Sequence, residues 1–267
     1  MTKMRKLFRI FKVLLKNPNY LQRVIDREAE KKNYVIKNHG CEYGLPTIDL
    51  LDIFPRFEET VEPYSFLEGN SLPIDLALLK ALARNYDHCR YLEIGTWRGE
   101  SAANVANVAE ECISVDLSEE EMKQRGFSNQ FIANIRFYSK GYRNISYIAH
   151  NSQTFDFSSL GKFDMIFIDG DHSYESVKTD TQNAFKLLRD NNSVIVWHDY
   201  GATTERVMWS VLAGILDGCP EEKRGRLYHI SNSLCAIYIN GMFNTTFEMV
   251  PQIPNKSFTV KISAVKI

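Results

Sequence analysis

"FDMIFIDGDHSYESVKTD", residues 163–180, decides the reading of this chain. Met165 to Ile168 form a short continuous apolar run, the mark of a strand buried on both faces. Asp169, Gly170, Asp171 and His172 follow at once, and a helical pattern then runs from about Ser173 to Arg189. A core strand that ends in two carboxylates and an imidazole has delivered chemistry to one edge of a sheet.

Working outward, the same unit recurs. "RYLEIG" (90–95) reads as a strand followed by a helix over 100–111. "CISVDL" (112–117) is a strand followed by a helical region to about residue 139, and "ISYIAH" (145–150) is a strand. "SVIVWHD" (193–199) is a strand followed by a helix over about 204–216, and a helix over 74–86 precedes the series. Such alternation predicts a parallel sheet covered on both faces. "RLYHI" (226–230) and "LCAIYIN" (234–240) are separated only by Ser231, Asn232 and Ser233. So short a link forces an antiparallel hairpin, because a parallel pair needs a crossover. The expectation is a Rossmann-like, doubly wound, mostly parallel seven-stranded α/β sheet with one antiparallel strand. The alternation of Phe258, Val260 and Ile262 with Thr259, Lys261 and Ser263 suggests one further strand, without a place in that order.

Composition narrows the class. The 267 residues are 44% hydrophobic with a net charge of −1, which gives no general case for a nucleic-acid partner. The five cysteines show no C-x-x-C spacing, as in a reducing, cytoplasmic setting. No stretch approaches a membrane span. Residues 1–16 carry six lysines and arginines and no acid, with Met4, Leu7, Phe8, Phe11, Leu14 and Leu15 at helical spacing. This basic amphipathic helix suits either a membrane surface or docking on protein, its own core or a second copy. Docking is the favoured reading. Residues 33–70, broken by glycine and proline, read as an irregular connector. The expected division is therefore a helical extension and connector over 1–70 and a nucleotide-binding domain over 71–267.

In open α/β sheets ligands bind beyond the carboxyl ends of the strands. In "YLEIGTWRGES" (91–101), Gly95 and Gly99 bracket a strand-to-helix turn that includes Thr96. It is not the G-x-G-x-x-G of dinucleotide folds. Trp97 stands where a pyrophosphate needs bare backbone, and Glu93 would repel phosphates. S-adenosylmethionine carries an ammonium and a sulfonium and no phosphate, so a carboxylate there makes electrostatic sense. An ordinary tight turn is the plain alternative. Asp116, 23 residues after Glu93, is placed to accept the ribose hydroxyls. It could instead cap the next helix, a task Ser118 can also perform. His150, Asn151 and Ser152 end the third strand within reach of an adenine edge.

These stretches resemble the class I S-adenosylmethionine-dependent methyltransferases over about residues 74–240, which implies that 71–267 is an S-adenosylmethionine-binding methyltransferase domain. "FIDGDHSYESVKTD" and "VIVWHD" are similar to the macrocin O-methyltransferase-like and cephalosporin-hydroxylase-like branch. The resemblance implies cofactor binding by Glu93, Gly95 and Asp116, a divalent metal beside Asp169 and Asp199, and His172 as base. His198 departs from the acidic residue expected in metal-binding relatives.

Strands four and five should be neighbours, which brings the Asp169 and Asp199 carboxylates together. Two carboxylates that close require a proton, a cation or water between them. A divalent metal such as magnesium or manganese on Asp169, His198 and Asp199 is one solution, and the nitrogen favours manganese, iron or zinc over magnesium. Direct binding of substrate hydroxyls without metal is the other. His172 is placed as general base, while Asp171 and Ser173 read as turn and cap residues. The leading expectation is O-methylation of a small hydroxylated acceptor by an enzyme that could be a homo-oligomer. A nicotinamide-dependent oxidoreductase and a non-catalytic binding protein of the same fold are the alternatives.

Overall fold

The computed structural model describes residues 4, 11–12, 28–69 and 71–266. Of the amphipathic helix expected over 1–16, all but Met4, Phe11 and Lys12 lie outside the described residues; these three are helical and exposed. Among the described residues no helix is long and apolar enough to cross a membrane.

In chain order the elements are α1 (Glu28–His39), β1 (Thr47–Ile48), α2 (Leu50–Ile53), α3 (Pro73–Ala83), β2 (Arg90–Ile94), α4 (Glu100–Ala106) and β3 (Glu111–Asp116). Next come α5 (Glu119–Gln124), α6 (Asn129–Asn134), β4 (Ile145–Ala149), β5 (Met165–Ile168), α7 (Tyr174–Leu187) and β6 (Val194–Trp197). The chain continues with α8 (Trp209–Gly218), β7 (Leu227–Ile230), β8 (Ala236–Tyr238) and β9 (Thr245–Thr246). One sheet runs β4-β3-β2-β5-β6-β8-β7-β1-β9. From β4 through β6 every pairing is parallel, and β8 is antiparallel to both β6 and β7, as the short link between β7 and β8 requires.

The sheet therefore has nine strands where seven were expected. The additions are two-residue strands at one edge: β1 lies parallel to β7, and β9 antiparallel to β1. Two residues carry no readable period. The strand expected over 258–263 is a second correction. That stretch has no strand structure, and Phe258, Val260 and Ile262 are exposed. Alternation makes a strand only where an edge is offered, and β9 already takes this one. Lys256 instead ties the tail to the sheet edge through Asp49 at 2.7 Å.

Successive strand residues face opposite sides, so each side carries its own core. Leu92, Ile94, Ile166, Ile168, Ile195 and Trp197 pack with α7 and α8 on one side. Tyr91, Phe167, Val194, Val196 and Ile237 pack with α3 and α4 on the other. The winding direction reverses between β2 and β5, which makes the crevice beyond their carboxyl ends the switch point.

Candidate active site at the switch point

The turn after β2 is shaped by backbone. Gly95 has φ +90°, where only glycine is unstrained. A Cβ there would stand 2.6 Å from the carbonyl carbon of Asp169 and 2.7 Å from Cα of Gly170. The first and fourth parallel strand ends thus touch through bare backbone. Gly99, φ +80°, starts α4, and a Cβ would meet Cβ of Ser139 at 2.8 Å. Trp97 between them also takes a positive φ, +45°, and its ring lies 4.0 Å from that of Phe131. Thr96 is buried and its hydroxyl bonds that of Ser114.

Glu93 is fully buried. Tyr91 donates to its Oε2 at 2.6 Å, while Oε1 has no hydrogen-bond partner. Burial pushes its pKa up to about 8 despite the Tyr91 and Ser101 bonds. A cation bound beneath the turn would favour the ionised form of this carboxyl, and an anion would oppose it. Asp116 ends β3; burial raises its pKa, against hydrogen bonds from Leu117 and Thr96 and the positive charge of Arg136. Ser118, not Asp116, caps α5, accepting from the Glu121 amide at 3.2 Å in a reciprocal capping box. Asp116 Oδ1 accepts instead from the Leu117 amide at 2.8 Å.

At the end of β4, Asn151 Oδ1 accepts from the Gln153 amide at 3.1 Å, and Gln153 donates to Ser152 Oγ at 3.3 Å and to Asp180 Oδ1 at 3.0 Å. Asp180 is a buried carboxylate on α7. Burial pushes its pKa up to about 7.

The ends of β5 and β6 bring together the four groups expected there. His172 Nε2 is 3.1 Å from Asp199 Oδ2 and 3.8 Å from Asp169 Oδ1. His198 Nδ1 is 3.3 Å from each of those same two oxygens. Asp199 has φ +52°, a region that aspartate tolerates better than most residues, and this turns its carboxylate back toward Asp169. Burial pushes the Asp169 carboxyl up, but the His198 and His172 imidazoles outweigh it and hold it at about 2. The Asp169 and Asp199 carboxylates in turn lift His172 above the ordinary histidine value, against burial. Burial lowers the His198 pKa, yet Asp169, Asp199 and Asp75 carry it well above that value. Asp171 accepts from the Ser173 amide at 2.7 Å and belongs to the turn, and Ser173 precedes α7 as its cap residue.

The donor set fits a divalent cation. Asp169, His172 and Asp199 offer ligand atoms within 4.8 Å of one another. His198 Nδ1 is a buried nitrogen without a hydrogen-bond partner, facing both carboxylates. The sequence reading missed Asp75, which receives His198 Nε2 at 3.1 Å. Its only signal was a carboxylate inside an apolar helical stretch, three residues after Leu72, a pattern that a helix start explains equally well.

Residues 92–200 match the family model described as a methyltransferase domain. No curated protein matches the chain. Among solved structures, the YcgJ protein of Bacillus subtilis is 20% identical, with 49% of this chain and 52% of that one covered and a TM-score of 0.36. A putative O-methyltransferase from Klebsiella pneumoniae is 16% identical, with 84% and 96% covered and a TM-score of 0.46. The O-methyltransferase from Bacillus cereus in complex with SAH is 15% identical, with 83% and 96% covered and a TM-score of 0.44. The chain spans about half the length of the first of these. Over residues 92–200, the centre of the parallel sheet, the chain is similar to a methyltransferase domain. The nicotinamide-dependent and non-catalytic alternatives are not favoured.

Proposed function

We propose that the protein transfers the methyl group of S-adenosylmethionine to a hydroxyl oxygen of a small acceptor, of the sugar or natural-product kind. The observation that carries this reading is the group Asp169, His172, His198 and Asp199, gathered beside the Gly95 turn. Glu93, Gly95, Thr96, Gly99 and Asp116 hold the cofactor, with Asn151 and Ser152 along its adenine and Asp169 at its methyl end. In the transfer the acceptor oxygen forms a bond to the methyl carbon as the carbon–sulfur bond breaks. The electron pair of that bond returns to sulfur, which gives S-adenosylhomocysteine. The hydroxyl proton passes to His172 at Nδ1, since Nε2 carries the proton that faces Asp199. Asp169 and Asp199 orient the ring and stabilise its charge once it is protonated. Holding oxygen and methyl in line supplies much of the acceleration.

Asp169, Asp199 and His198 are the residues that would hold a divalent metal, manganese in preference to magnesium given the nitrogen. Bound there, it would lower the pKa of the acceptor hydroxyl. Metal and proton compete for His198 Nδ1, so loading the site should release a proton.

The test is methyl transfer from labelled S-adenosylmethionine to a panel of matched hydroxyl and amine acceptors, with and without chelator. Hydroxyl acceptors should be methylated and chelator should stop the reaction. Transfer to amines alone would refute O-methylation; full activity in excess chelator would remove the metal and leave His172 as base.

A further inference from the structure

We propose that Asp75 is a positioning residue for the acidic end of the site: it fixes the His198 ring so that Nδ1 lies between Asp169 and Asp199, where a divalent cation would take it. The inference rests on the reading of that group as a cation site.

Asp75 is the third residue of α3 and is fully buried. Its Oδ2 accepts from the Leu72 amide at 2.8 Å and from His198 Nε2 at 3.1 Å. Its Oδ1 accepts from the Leu234 amide at 3.0 Å. Three donors from three places hold one carboxylate: the start of α3, the end of β6 and the turn between β7 and β8. The carboxylate cannot rotate without losing at least one of them.

An imidazole held at one nitrogen presents the other in a fixed direction. Here that other nitrogen is buried, 3.3 Å from each of two carboxylate oxygens and without a hydrogen-bond partner. Metal-binding histidines are commonly oriented in this way, by a carboxylate on the far ring nitrogen. Capping alone does not account for Asp75. The Leu72 amide needs one oxygen acceptor, which a neutral side chain also provides. A carboxylate buried near two others is costly unless its charge serves a cationic or strongly donating partner, and His198 is that partner.

The experiment titrates manganese(II) into the wild type, Asp75→Asn and Asp169→Asn, following free ion by electron paramagnetic resonance. The thermal unfolding of each sample serves as the control for folding. Asparagine keeps the shape and weakens the acceptor for His198 Nε2. The wild type should bind the ion, Asp169→Asn should not, and Asp75→Asn should bind about 10- to 100-fold more weakly while unfolding cooperatively. Wild-type affinity in Asp75→Asn would overturn the role of Asp75 and leave the cation site standing. A wild type that binds no manganese would overturn the cation reading and this inference with it. Should Asp75→Asn not fold, long-range ¹H–¹⁵N spectra of the magnesium-loaded wild type decide the matter. A proton on His198 Nε2 and none on Nδ1 supports the role; the reverse rules it out.

Discussion

The two halves of the site are built by different means. The turn after β2 is defined by backbone: two glycines at positive φ, one of them in contact with the main chain of Asp169 and Gly170. The ends of β5 and β6 are defined by side-chain charge: two carboxylates, each with two imidazoles within 3.8 Å, backed by Asp75. The first half should fail through steric change and the second through loss of a charge or a proton. Cofactor binding and chemistry ought therefore to be separable by mutation.

The largest separation is expected at His172. His172→Ala should lower turnover about 10²- to 10⁴-fold, the usual worth of a general base, and leave S-adenosylhomocysteine affinity unchanged in calorimetry. A base must be neutral to act, and Asp169 and Asp199 raise the pKa of this histidine. Turnover in the wild type should thus rise with pH, with its midpoint above the ordinary histidine value of about 6.5. The variant should lose that limb. Full activity in His172→Ala would assign the proton to another group.

Gly95→Ala should do the opposite. The new Cβ meets backbone that cannot yield, and the residue would keep a positive φ. A cost on the order of 3 kcal/mol or more follows, seen as a lower melting temperature and loss of S-adenosylhomocysteine binding. Retained affinity would show that the turn has more room than its geometry allows. Asp116→Ala should be milder, weakening S-adenosylhomocysteine by about 1.5 to 3 kcal/mol, the scale of a charge-assisted hydrogen bond. An unchanged affinity would remove Asp116 from the ribose.

Glu93 offers the finest distinction. Unfolded, a glutamate ionises near about 4.3; folded, this one holds its proton to about 8. Between those values the folded state binds more protons, so stability falls as pH rises, by about 1.4 kcal/mol per pH unit from this group. The loss is complete once pH passes the folded value. Glu93→Gln should flatten the decline in melting temperature between pH 6 and pH 8. Equal slopes in both proteins would place the proton elsewhere.

The two halves also differed in how far sequence alone revealed them. Asp169, His172, His198 and Asp199 were legible because they stand within four residues of the ends of two apolar strands, and parallel neighbours bring those ends together. Gly95 and Gly99 were legible as a turn, but the contact between Gly95 and the Asp169 main chain was not, since it depends on strand order. Asp75 and Asp180 were hidden for a different reason. Both sit on helices, where a carboxylate is ordinarily a cap or a solvated charge, and only tertiary packing buries them against the site. The edge strands β1 and β9 are too short to carry a pattern. The tail over 258–263 carries the pattern and finds no edge.

The separation of the two halves is tested most directly at Asp199. Asparagine tolerates the positive φ found there and removes only the charge. Turnover with a hydroxyl acceptor and S-adenosylhomocysteine affinity should be measured on the same preparation of Asp199→Asn. The account predicts turnover lost and affinity within about twofold of wild type, a difference of roughly 0.4 kcal/mol. Affinity that falls in step with turnover, or turnover that survives the change, would contradict it.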